Sequence, residues 1–167
     1  MKSRITFFSV ASFLMVFMLY TNGVIAQEQE HPMARMIGVW DMEAYKTEPA
    51  EVLAQMGTAS KVEVSMAWSI DKRGIIQTNR TVANGEPQVY SITHFHDLAT
   101  GTTHSISAAG TAKTTYPDEK TVKVEQFGFD GKLVNKQEVN FLNDDEAESV
   151  IEQSGGLKLW VKMKRRK

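Results

Sequence analysis

The chain changes hydrophobic period twice along its length. Residues 5–20 form an apolar run broken only by Thr6, Ser9 and Ser12. Over 47–57 the apolar residues Val52, Leu53 and Met56 fall at helical spacing. Thr47 is placed to cap that segment, Pro49 suits its first turn and Gly57 its stop. From Lys61 the period becomes two: Val62, Val64, Met66, Trp68 and Ile70 share one face, and Lys61, Glu63, Ser65, Ala67 and Ser69 the other. Turn signals then recur at Asp71–Gly74, Asn84-Gly85, Asp97–Gly101, Asp130-Gly131 and Ser154–Gly156.

These breaks predict strands over 38–46, 61–70, 75–83, 88–96, 102–108, 121–129, 132–142, 146–153 and 157–163. Nine or ten short strands joined by tight turns, with no βαβ crossover, must hide their edges. The expected fold is all-β: an antiparallel up-and-down barrel of about 9–10 strands, with one short helix between the first two.

The first 26 residues read as a signal peptide. Lys2 and Arg4 precede the apolar run, Asn22-Gly23 break it, and Val24-Ile25-Ala26 supplies a cleavage site before Gln27. The run is shorter than the roughly 20 residues that span a bilayer. Export to a periplasm or the exterior is therefore expected, with no membrane anchor after cleavage, a lead-in over 27–36 and a single barrel domain over 37–167. There is no cysteine, hence no disulfide and no lipid attachment site at the cleavage point. That favours a bacterial source.

Charge narrows the partners. The full chain carries 19 basic and 20 acidic residues. Loss of Lys2 and Arg4 leaves the mature part near −3, which does not suit a nucleic-acid binder. Lys162–Lys167 is basic at five of six positions and reads as a solvated tail.

At Gly38-Val39-Trp40 the chain resembles the lipocalin and calycin group, including small secreted lipocalin-like domains of bacteria. The resemblance implies a short helical turn leading into a Gly-x-Trp on the first strand, with the tryptophan plugging one barrel end. It also implies a basic side chain over that tryptophan, here Arg165 or Arg166. The helix between the first two strands lies where fatty-acid-binding relatives carry a two-helix lid.

The expected function is binding of a small apolar ligand in the lumen, with Val62, Val64, Met66, Trp68, Tyr90, Ile92, Leu159 and Val161 as the lining; Leu157 is a further candidate for the core. The first alternative is a metal-binding protein or metal-dependent enzyme. If the turn at Asp97–Gly101 pairs His96 with Thr102, then His94 faces His104, and three imidazoles share one face with Tyr90, Ile92 and Ile106. Neutral imidazoles at such spacing suit a divalent transition metal. The second alternative is an interaction module with a filled core. No nucleophile elbow or phosphate loop is present, so an enzyme is not the favoured reading and no cofactor is implied beyond that metal. The acidic residues Asp144, Asp145, Glu146 and Glu148 read as a solvated turn.

Overall fold

The computed structural model describes residues 31–83 and 85–167. The expected leader, and residues 27–30 of the expected lead-in, lie outside the described residues. Ten antiparallel strands follow one another around a closed barrel, and the last pairs with the first. They are β1 (Gly38–Glu48), β2 (Lys61–Trp68), β3 (Gly74–Ala83), β4 (Glu86–Asp97), β5 (Thr102–Ser107), β6 (Gly110–Thr115), β7 (Thr121–Phe127), β8 (Leu133–Phe141), β9 (Glu146–Gln153) and β10 (Lys158–Arg165). A 3-10 helix, Pro32–Met36, precedes β1. Between β1 and β2 lie α1 (Glu51–Met56) and a second 3-10 turn, Gly57–Ser60.

Several boundaries differ from expectation for identifiable reasons. The helix does not begin at Thr47, because β1 continues through Glu48 in register with β10. Thr47 still ties the first turn: its hydroxyl accepts the Leu53 N–H at 3.1 Å. Ile70 falls in the turn after β2 and is fully exposed, so the apolar alternation outruns the strand by one residue pair. The stretch left without an element, Gly110–Thr115, is β6; its sequence Gly-Thr-Ala-Lys-Thr-Thr has no apolar alternation to betray it. The basic C-terminus is no free tail, since β10 runs to Arg165 between β1 and β9.

One end of the barrel is closed by packed side chains. Trp40 is completely buried there, and its indole N–H donates to the Met36 carbonyl at 2.9 Å. Its register partner on β10 is Arg165, whose guanidinium sits 4.5 Å from the centre of the indole ring. That guanidinium donates to the carbonyls of Ile37 at 2.6 Å, Arg35 at 2.5 Å and Asp144 at 3.1 Å. It thus fastens the 3-10 helix, β1 and the β8–β9 turn to β10. Arg165 is the basic residue over the tryptophan, while Arg166 points outward to Asp41 and Glu63. The geometry also explains Gly38. Its φ of 125° suits glycine, and a Cβ there would stand 3.2 Å from the Arg165 Nη1.

Most charges lie on the outer wall, where cross-strand pairs such as Lys123–Glu138 (3.3 Å) and Arg80–Glu63 (3.2 Å) face water. Exposed pairs of this kind each contribute about 0–1 kcal/mol, so burial at the Trp40 end carries the stability. Replacing Trp40 with alanine should therefore cost about 3–5 kcal/mol in urea unfolding. A loss below about 1 kcal/mol would show that the indole is not the plug.

Candidate functional site

The interior of the barrel is not filled. A cavity of about 690 Å³ runs along it, within the roughly 300–1,000 Å³ of small-molecule sites. Its floor is the 3-10 helix, through Pro32, Met33 and Met36, with Phe141 beside it. Met56 of α1, with Ala59 and Ser60 of the 3-10 turn after it, border it from above, and Thr58 of that turn ties it to β3 by donating to the Val82 carbonyl at 3.0 Å. The wall is lowest on the other side. There β5 and β6 meet in a short hairpin at Ala108-Ala109, whereas β4 extends past it over Glu86–Ser91, paired with β3 alone. Gly110 allows this short hairpin to lie against β7, since a Cβ would fall 2.1 Å from the Phe127 carbonyl oxygen.

The lining has two characters. β10, β1 and β2 form an apolar arc of Leu159, Val161, Met42, Val62, Val64 and Met66. The arc from β3 round to β8 mixes Ile92, Val122 and Val124 with carboxamides and hydroxyls. Gln77 donates to Asn79 at 2.8 Å, Asn135 to Gln126 at 2.8 Å, and Gln137 to the Ser149 hydroxyl at 2.9 Å. Of the expected lining, Val62, Val64, Met66, Tyr90, Ile92, Leu159 and Val161 do border the cavity. Trp68 does not: it sits at the closed end, its ring edge-on to His31 at 5.6 Å. Leu157 packs against the core without reaching the cavity.

The expected three-histidine cluster is not formed. Asp97 stays in β4, paired with Thr102, because its carboxylate accepts the Ala99 N–H at 2.9 Å and the Thr100 hydroxyl at 2.8 Å and so organises the turn from the strand end. The register therefore slips by one residue from the pairing expected. His96 meets Thr103, His94 meets Ser105, and His104 lies opposite Phe95 on the outer face, exposed to solvent. Ile106 moves outward with it. A one-residue shift turns every side chain of a strand to the other face, and here it removes the third nitrogen.

A different histidine takes up the inward position. His31, at the head of the 3-10 helix, is buried with its ring centre 5.3 Å from that of His96. Its Nδ1 accepts the Met33 N–H at 3.1 Å, which places the ring proton on Nε2. That Nε2 is buried with no hydrogen-bond partner among the described residues. His94 is better served: Ser105 lies 2.7 Å from Nδ1, and the Gln77 amide oxygen accepts from Nε2 at 3.0 Å. Near them Thr103 bridges His96 (3.0 Å) and the Tyr116 hydroxyl (2.6 Å). Burial, with the nearby His96, lowers His31 to about 4; burial, with His31 beside it, does the same to His94. Burial also pushes Tyr116 up to about 12 against the opposing bond from Thr103. Both His31 and His94 are thus neutral polar groups of the interior.

No family model matches the sequence, and no curated protein matches it. Solved structures do. The S-type phycobiliprotein lyase of Guillardia theta superposes with a TM-score of 0.54 at 12% identity, covering 81% of this chain and 90% of that one. A redesigned β-barrel gives 0.47 at 10% identity, over 82% of this chain and 96% of its own. An odorant-binding protein gives 0.43 at 11%, over 80% and 73%. The likeness to the lyase is one of fold: a closed antiparallel β-barrel.

The two lowered histidines set a pH dependence. In the unfolded chain each titrates near 6.5, so between about 6.5 and about 4 the unfolded state binds more protons. Stability should be full above that window and fall as pH drops through it, by up to about 1.4 kcal/mol per pH unit for each ring. Urea unfolding from about pH 7.5 to about 4.5 checks this. A flat profile would mean the rings are not buried neutral.

Proposed function

We propose that the chain is an extracytoplasmic binding protein that holds one small molecule in its barrel lumen. The observation that supports this best is the cavity itself, closed below by the 3-10 helix, open above, and of ligand size. A filled barrel would serve as an interaction module only, and this lumen gives that reading no support. The apolar arc of Val62, Val64, Met66, Leu159 and Val161 gives the ligand a hydrophobic face, with Ile92 beside it and Tyr90 toward the mouth. The three-histidine enzyme loses its basis with His104 on the outer face.

Export rests on the leader over residues 1–26. Among the described residues no helix is long and apolar enough to cross a membrane. The fold and the lumen are the same whichever compartment holds the protein, so the two halves of the proposal are tested by separate readouts on one preparation.

The full chain, expressed in an exporting bacterial host, should be recovered from the periplasm with Gln27 at its N-terminus. That material should bind the neutral fluorophore Nile red saturably at one site. Val124→Trp, which fills the lumen from β7, should weaken binding at least about tenfold while the far-ultraviolet circular dichroism stays unchanged. Retention of residues 1–26 in a membrane fraction would overturn export; unsaturable binding, or binding indifferent to the Val124 replacement, would overturn the lumen site.

A further inference from the structure

The lumen differs from the rest of the molecule in its charge. Charged residues make up 23% of the chain, yet no Asp, Glu or Lys borders the cavity among the described residues. Arg35 is the sole full-time cation on the lining, and it is engaged elsewhere. Its guanidinium lies 3.7 Å over the Phe141 ring, donates to the Glu119 carbonyl and reaches Asp144 at 4.0 Å. His94 is held between Ser105 and Gln77 in its neutral form.

An ammonium entering this space would give up its hydration with no counter-charge to meet it, and a carboxylate or phosphate would meet only Arg35, already held by Phe141, the Glu119 carbonyl and Asp144. A neutral polar group fares differently. The side chains of Gln77, Asn79, Gln126, Asn135 and Gln137 form a wall of primary amides, flanked by the hydroxyls of Ser105 and Thr114. Their mutual bonds hold them in place and use only part of their capacity, since each primary amide has two donors and two acceptor lone pairs. Opposite them stands the apolar arc of β10, β1 and β2. Placing amides at these positions in place of further valines has a cost unless each is paired, and the three amide bonds provide that pairing.

We infer that the lumen selects an uncharged amphipathic molecule, with an apolar face toward β10–β1–β2 and hydrogen-bonding groups such as amide or hydroxyl toward β3–β8, and that it rejects the carboxylates and ammonium ions of the same skeleton. This rests on the lumen being the binding site and adds the class of ligand.

Three probes that share one tail test it: dodecanamide, dodecanoate and dodecylammonium, each displacing Nile red from the exported protein at neutral pH. Dodecanamide should bind at least about tenfold more tightly than either ion. The double variant Gln126→Leu with Asn135→Leu removes both partners of one amide bond and leaves neither unpaired. In it the ratio of amide to carboxylate affinity should fall by at least about threefold, a readout that is independent of any general loss of binding.

Dodecanoate or dodecylammonium binding as tightly as the amide would overturn the inference. If Arg35→Met then abolished dodecanoate binding, the floor arginine would be identified as the counter-charge. A ratio unchanged in the double variant would overturn the role given to the amide wall. Nile red binding that none of the three probes displaces would overturn the ligand class and leave the lumen site standing. Absence of Nile red binding would remove both.

Discussion

One cation–aromatic contact organises this barrel: the Arg165 guanidinium lying over the buried Trp40 indole. A sheet becomes a barrel only when its first and last strands meet, and these two residues are register partners across that seam. The guanidinium also takes carbonyls from the segment before β1 and from the β8–β9 turn, so one side chain joins four parts of the chain. The 3-10 helix is thereby fixed as a floor. With one end sealed by packing, the opposite end can remain open, and the cavity lies between them.

Among the described residues, the lining that results has Arg35 at the floor as its one permanent charge, and it is not apolar. Excluding every carboxylate and amine avoids the large penalty of burying ions, and pairing the amides avoids the smaller penalty of burying polar groups unmet. Near the floor the same rule is met less fully. His94 is satisfied on both nitrogens, while the buried Nε2 of His31 has no hydrogen-bond partner among the described residues. Leaving such a donor unmet costs about 1–3 kcal/mol, a local expense that Trp40 burial outweighs. The lining therefore combines a polar wall held by amide hydrogen bonds with a hydrophobic one, the combination on which the proposed preference for a neutral ligand rests.

Much of the fold was legible because alternation and turn chemistry agree. The run from Val62 to Trp68 declared β2, Asn84-Gly85 its neighbouring hairpin, and Gly38-Val39-Trp40 the plugged end with its arginine. β6 was silent because its inward residues, Ala112 and Thr114, are too small and too polar to mark an apolar face against Thr111, Lys113 and Thr115. The amide wall was hidden for the same reason: Gln77 and Asn79 look like solvent-facing residues until closure turns them inward. The histidine cluster was lost to a single residue of register, decided by whether Asp97 ends the strand or starts the turn. Its side chain does both, capping the turn while its backbone stays paired, and sequence spacing does not carry that information. His31 fell in the expected lead-in, where spacing gives it no role; only the folded floor shows it packed against His96 and Trp68.

The central claim is that the lumen is an occupied site in the working protein rather than empty space. Native mass spectrometry of the protein, taken from its own cells without denaturant, tests this most directly. The account predicts a mass above that of the bare polypeptide by one small molecule, which leaves as a neutral species when the collision energy is raised. The bare polypeptide mass alone, both as isolated and after incubation with a lipid-soluble extract of the same cells, would contradict it.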